Sequence, residues 1–558
     1  MNLPGEANLE QLRKQAKDLL RGVRAGDAVA VAEVAERYPG AGAPFSLAAA
    51  QLVVARRYEF ASWARLRRYV TVIERYRRDP RQADPGSAAD RFLALACLRY
   101  EDDDGPERWI QARDLLAENP EITGASVHVA AATADIGQLR SLLAANPAAA
   151  TELGGPFRWE PLLYLAYARH DPHVQEQPVQ EQAVLTTARL LLEAGADPNA
   201  GYLWHGLPTP FTTLTGAFGE GELGPVRQPR HPHSLALARV LLEAGADPND
   251  GQTLYNRMFE PDNDHLELLL EFGLGTGTGG PWRARLGRAV ESPRRMTRGQ
   301  LRRAITHGLL ARVQLLVEHG VDFVSPFGDG GTPVTRAMTT GNEDIAAYLI
   351  ARGAEAPRLD PTQQFIAAAL AADQARVDTS LAGGRDGTNA SLADEVRSAR
   401  PGLVVWAAGH GKPGAVELLI AAGFDVNAMG RADAPADNPW ETALHVAAMN
   451  GNAELARSLL ALGADTGIRD ARFDSTPLGW ARHFDQQEVI DLLEPVTAPE
   501  PVTESENPLP SRSNGLRPTP ARRDRSRPSG RVPGSGRHCG IQTRPGSTRV
   551  KPSNSSLI

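Results

Sequence analysis

Residues 401–428 read PGLVVWAAGHGKPGAVELLIAAGFDVNA, and residues 440–465 read WETALHVAAMNGNAELARSLLALGAD. Each stretch opens on a short apolar run, breaks at a Gly-containing turn, resumes with a second run ending in Leu-Leu, and closes on Gly-x-Asp. Apolar residues recur three and four apart, the period of an amphipathic helix. Alanine and leucine dominate, which favours helix over strand. Thr442 stands where its side-chain oxygen can cap the first helix. The glycine after the second helix, Gly423 or Gly463, stands where a helix ends in the left-handed conformation that glycine adopts at little steric cost. The unit these rules predict is a helical hairpin, and it occurs twice.

Working outward, the same endings return at Leu191–Asp197, Leu241–Asp247, Leu315–Asp322 and Leu349–Glu355. The same beginnings return at Ser126–Ala130, Thr332-Pro333-Val334 and Thr476-Pro477-Leu478. These segments resemble ankyrin repeats, whose signatures are T-P-L-H-x-A and L-L-x-x-G-A-D. The resemblance is strong over 400–494, good over 184–250 and 300–356, and degenerate elsewhere within 88–495. It implies an all-α solenoid of about nine or ten hairpins. It also implies a non-enzymatic scaffold that binds a protein partner through its concave face and loops, with no cofactor. His128 and His445 occupy the histidine position of the signature, and the resemblance makes them structural links between neighbouring repeats. In LLAENP (115–120) and LLAANP (142–147) asparagine replaces the terminal glycine. Asparagine is the next-best left-handed residue, and the following proline stops the helix.

The spacing is irregular. Gly320 and Gly353 are 33 residues apart, Gly423 and Gly463 are 40, and Gly195 and Gly245 are 50. The surplus falls in inserts at 171–183 and 219–233, both predicted between the two helices of one hairpin. Long polar inserts on one side of a solenoid belong to a binding face.

Residues 1–80 form a separate helical block. Leu9, Leu12, Ala16, Leu19 and Val23 mark one helix face, Asp27 is a predicted N-cap, and 48–58 and 62–76 read as further helices. LEQLRKQAKDLL (9–20) and AQLVVARRYEFASWARL (50–66) are similar to the opening segment of many bacterial ankyrin-repeat proteins. The role expected for the block is to cap the first repeat. Residues 79–87 read as a linker. From 497 to 558 the chain is rich in Pro, Ser, Gly and Arg, without Phe, Tyr or Trp, so a disordered tail is expected.

Charge and cysteine content narrow the function classes. The formal net charge of −7 conceals +10 over residues 507–558, which leaves −17 on the rest of the 558-residue chain. A basic tail could touch nucleic acid phosphates. Without aromatics to stack on bases, such binding would be nonspecific, so nucleic acid is disfavoured as a partner. Attraction to the acidic body, or an extension without a role, accounts for the tail more simply. Cys97 and Cys539 cannot make a disulfide framework or a four-ligand zinc site. No segment reads as a signal peptide or membrane span, and the expected location is the cytoplasm. Arginine in place of lysine, with abundant alanine, glycine and proline, suggests a GC-rich bacterial genome. Oligomeric state is left open by the sequence.

Candidate chemistry is sparse. Gly275–Gly280 matches G-x-G-x-x-G but follows a helix and runs into Pro281, so a flexible loop is expected rather than a phosphate cradle. His231, His233, Asp262, Asp264 and His265 read as loop residues and helix caps rather than metal ligands, with Asp264 placed as an N-cap. No protease, hydrolase, Walker or kinase signature occurs. The residues singled out as a contact patch are Tyr202, Trp204, His205, Tyr255, Asn256 and Arg257. They follow repeat ends, and Trp, Tyr and Arg dominate interface energies. Packing of Trp204 and Tyr255 against their own loops is the simpler alternative. Two further readings stay open: an enzyme or small-molecule site in the irregular middle repeats at 200–290, and regulation of an enzyme encoded nearby.

Overall fold

The computed structural model describes residues 3, 8–38, 44–82, 85–170, 178–382, 392–433 and 439–497. The tail expected at 497–558, apart from Thr497, lies outside them, as do Cys539 and residues 171–177 of the first insert.

Four helices build the N-terminal block: α1 (Leu9–Arg24), α2 (Ala28–Arg37), α3 (Leu47–Arg57) and α4 (Trp63–Tyr76). Each begins at a polar cap. The Asp27 carboxylate accepts from the Ala30 N–H at 2.9 Å, and Ser46 and Ser62 do the same for α3 and α4. Ser62 therefore precedes its helix rather than opening it. Leu12, Ala16 and Leu19 meet Val53, Val54, Leu66 and Val70 in a core of their own.

The block's main packing is not that of a lid on the first repeat. Arg77–Arg78 (β1) runs parallel to Gly201–Trp204 (β2), which pairs antiparallel with Pro210–Thr212 (β3). Helix α4 lies against β2 and against the helix Gly280–Leu286. The Tyr76 ring meets Trp282 edge-on at 4.9 Å. The hairpin of β2 and β3 offers an edge whose N–H and C=O groups need partners, and β1 satisfies it. The expected linker contains β1's sequel, a 3₁₀ turn at Pro80–Gln82.

Beyond the block the molecule is all-α apart from this small sheet. Among the described residues, eleven helical pairs follow, from Ala88–Ala96 with Pro106–Glu118 to Pro477–His483 with Gln487–Leu493. First helices stack on first helices, as Val127–Ala132 on Pro161–Tyr167 and Leu403–Gly409 on Ala443–Met449. Second helices stack likewise, as Pro178–Glu193 on Ser234–Glu243. Thr332, Thr442, Thr476 and Ser126 cap their helices as expected. Gly195, Gly245, Gly320, Gly353, Gly423 and Gly463 all have φ between +77° and +100°.

The two asparagines depart from expectation. Asn119 has φ −134° and Asn146 has φ −148°, so neither is left-handed. The following proline keeps its predecessor out of the helical region. The chain leaves each helix through a 3₁₀ turn, Pro120–Gly124 or Pro147–Thr151. The Asn119 side chain donates back to the Leu115 carbonyl at 3.0 Å.

The insert 219–233 does fall inside one hairpin, between Thr213–Phe218 and Ser234–Glu243, and it is packed. The Glu220 N–H donates to the Gln228 carbonyl at 2.8 Å. A Cβ on Gly219 would meet the Pro229 carbonyl oxygen at 2.3 Å, so that close crossing requires glycine. In the other insert, residues 178–183 are helical and begin Pro178–Glu193.

The repeats contain two apolar cores, one from Phe92 to Ala354 and one from Phe365 to Leu493. They meet at a polar and aromatic seam. The His410 ring stacks on Trp406 at 3.7 Å and lies 5.5 Å from the His307 ring. Lys412 Nζ donates to the Gly341 carbonyl at 2.7 Å.

Candidate functional site

The six residues singled out from the sequence occupy two neighbouring places with unlike surroundings. Tyr202, on β2, is 1% exposed and belongs to an aromatic stack. Its ring lies 4.8 Å from Trp159 and 5.5 Å from Phe211. Trp204, two residues on, shares that strand face, and its ring lies 6.3 Å from Phe211. Trp204 is half-buried and its indole N–H donates to the Arg99 carbonyl at 3.1 Å. His205 ends the strand with φ +49°. Its Nε2 lies 2.7 Å from Glu101 Oε1 and its Nδ1 lies 3.3 Å from Asp79 Oδ1. The histidine thus joins the N-terminal block, the first hairpin's loop and the sheet.

Tyr255, Asn256 and Arg257 lie at the end of the helix Gly251–Asn256. The Tyr255 hydroxyl donates to Glu222 Oε1 at 2.6 Å, within the packed insert. Asn256 is buried and accepts from Gln252 at 2.7 Å. Arg257 is 0% exposed. It pairs with Glu220, with Asp262 at 2.5 Å and with Asp264 at 3.0 Å. Arg230 reaches the same three carboxylates at 2.7, 2.7 and 2.5 Å. Arg312 fixes the loop between them through Asn263 and the carbonyls of Glu260 and Asp262.

This arrangement corrects part of the contact patch. Tyr202, Asn256 and Arg257 are interior groups with no surface for a partner. Aromatic and guanidinium groups suit protein interfaces, but they also suit buried stacks and buried ion pairs, and sequence alone does not separate the two. Trp204, His205 and Tyr255 retain partial exposure.

The remaining candidates resolve as structure. Asp262, Asp264 and His265 bring ligand atoms within 4.8 Å of one another, but two guanidinium groups already hold both carboxylates. Burial, aided by the nearby guanidinium of Arg257, pushes the His265 imidazole down to about 3. Asp264 is the first residue of its helix, not the cap, which is Asn263. His231 and His233 are buried with rings 5.8 Å apart. In the Gly-rich loop, Gly275, Gly277, Gly279 and Gly280 all have positive φ, and Asn249 ties the loop down. Its side chain accepts from the Gly275 N–H at 2.8 Å and donates to the Thr276 carbonyl at 3.2 Å. These two bonds anchor the loop at its first half.

His128 and His445 act across hairpins. His128 Nε2 reaches the Glu152 carbonyl at 2.9 Å. His445 Nδ1 lies 2.8 Å from the Thr442 hydroxyl and its Nε2 3.0 Å from the Ser475 carbonyl. That bridge from one helix cap to the next repeat's turn lies in the stretch that a family model for ankyrin repeats, in three copies, matches at residues 404–498. Residues 404–498 of the chain are therefore ankyrin repeats. Comparison with curated proteins finds no match. Ankyrin repeats are in general protein-interaction modules, and a family of this kind is typically without enzymatic activity. Among the described residues, no helix is long and apolar enough to cross a membrane.

Sequence reasoning missed three features of this region: the sheet, the Glu220–Arg230–Arg257 network and the arginine cluster on α4. RYRR at 75–78 carried a signal for the last, since Arg75 falls two helical turns after Arg67 and Arg68.

Proposed function

We propose that the stack holds a protein partner along its concave face and loops, without chemistry of its own, in the cytoplasm. The observation that supports this reading most is the regular run of capped hairpins at 404–498. Such a run repeats the same helix face and loop at each step, and a surface of that kind suits an extended protein ligand. Within the middle repeats, Trp204, His205 and Tyr255 are the contact residues of this proposal, because they keep exposed area beside a rigid sheet.

The test begins with affinity capture on the full chain, followed by titration of the purified partner against wild type and Trp204→Ala. A loss of tenfold or more in affinity, about 1.4 kcal/mol, with an unchanged melting curve, is the expected result. Unchanged affinity removes Trp204 from the interface. Retention of no protein at moderate salt ends the scaffold reading and returns weight to a ligand site in the middle repeats.

A further inference from the structure

The junction between the N-terminal block and the middle repeats contains a half-open cavity of about 540 Å³, lined by Ala64, Arg67, Arg68, Thr71, Val72, Arg75, Tyr76 and Arg285. Four of these are arginines, on a body that carries −17 overall. Arg67, Arg68, Thr71 and Arg75 recur at helical spacing, so α4 presents them on one side. Arg67 and Arg75 are eight residues apart, about 12 Å along a helix axis. Arg285 closes the cavity from the helix Gly280–Leu286.

The guanidinium groups are not randomly placed. Arg285 lies over the Tyr76 ring at 5.3 Å and over Trp282 at 4.8 Å, and Arg75 lies 5.5 Å from the Tyr76 centroid. Arg68 donates to the Ala284 carbonyl at 3.3 Å. Aromatic stacking fixes planar groups and lowers the entropy lost when they grip a ligand. Among the described residues, neither Arg67 nor Arg75 pairs with a carboxylate, and the carboxylate near Arg285, Asp197, stands 3.8 Å away. The cavity therefore carries more guanidinium than carboxylate charge, whereas Arg230 and Arg257 in the middle repeats each meet three carboxylates.

We propose that this cavity binds a small organic phosphate carrying at least two phosphoryl groups. Guanidinium forks match phosphoryl oxygens in bidentate geometry. Ala64, Val72 and Tyr76 offer an apolar wall for the organic part, and the volume fits a molecule of nucleotide size. The net negative charge of the body and the half-enclosed shape favour a compact anion over a long polymer.

The test titrates the full-length protein with a nucleoside diphosphate and with inorganic pyrophosphate by calorimetry, at two salt concentrations. The comparison is with Arg67→Ala/Arg75→Ala, both exposed positions, and with Arg113→Ala as a control. The basic tail is the same in every variant, so weak binding common to all belongs to the tail. A single saturable site that weakens at least tenfold in the double variant, unchanged in Arg113→Ala and with the melting curve intact, is the expected result. Arg67→Lys/Arg75→Lys should recover only part of the loss, since lysine keeps charge but not the fork. Equal binding by wild type and the double variant overturns the proposal. So does absence of a saturable site for either probe, including the case in which a single-stranded RNA oligomer binds instead with steep salt dependence.

Discussion

Residues 403–493 and residues 200–290 are built from the same hairpin, yet their interiors are unlike. In the first, Trp406, Ala447, Leu459 and Trp480 fill the core, and polar groups are largely confined to caps and turns. In the second, Glu220, Arg257 and His265 are all buried, with Arg312 beside them at 1% exposure. The first region is specified locally, because each hairpin touches the next in a fixed register. The second is specified by pairs far apart in sequence, such as Arg257 with Glu220 and Trp204 with Arg99. Inserts remove the register, and buried charge pairs replace it as the device that admits one arrangement and excludes others.

The largest test of this contrast is Arg257→Ala. It leaves Glu220 buried and two further carboxylates with one guanidinium instead of two, and the expected cost is about 3–5 kcal/mol in urea unfolding. Arg239, which pairs with Glu271 at the surface, should leave the unfolding midpoint unchanged when truncated. If the two substitutions behave alike, the middle network is hydrated and the contrast fails.

The regular region holds two buried acids, Glu441 and Asp470, and the pH dependence of the first distinguishes a tolerated carboxyl from a paired one. Burial pushes Glu441 up to about 8, against an ordinary value of 4.5. A folded pKa above the unfolded one means that the neutral form fits the fold. The contribution is complete below about pH 4.5 and is lost as pH rises through about 8. Glu441→Gln keeps an acceptor for the Ala432 N–H, which now reaches Oε1 at 2.8 Å. The variant should match wild type at pH 5 and exceed it by about 2–4 kcal/mol at pH 9. A stability difference that does not change between pH 5 and pH 9 would show that Glu441 is hydrated rather than buried.

Legibility followed the same division. Thr442, Thr476 and Gly463 could be read because a cap and a left-handed terminus depend on residues within four positions. His445 was placed as a link between repeats, and it is one. The network around Arg257 could not be read, because nothing in 219–264 says which acid meets which arginine. The same holds for β1, whose partner strand lies more than a hundred residues away. Tyr202 and Arg257 had the chemistry of contact residues, and the structure places them inside.

A smaller effect measures how far the repeat's end is set by backbone alone. Gly463 has φ +92°, and a Cβ there would meet no atom within 4 Å. Space is available, so the cost of Gly463→Val comes only from the left-handed conformation. It should amount to about 1–2 kcal/mol of the unfolding free energy. An unchanged melting curve would mean that the last repeats do not share the cooperative unit.

The counterpart is Asn119, where the early repeats end without a left-handed residue. If helix termination always wanted glycine, Asn119→Gly would stabilise. The structure argues the opposite. Asn119 has φ −134° ahead of Pro120, outside the left-handed region, and its side chain returns a hydrogen bond to Leu115. Glycine would lose that bond and add freedom to the unfolded chain. The expected result is a loss of about 0.5–1 kcal/mol, read as a lower unfolding midpoint in the same urea titration. A gain would mean that Pro120 does not keep its predecessor out of the left-handed region, and that the early and late repeats end by one mechanism after all.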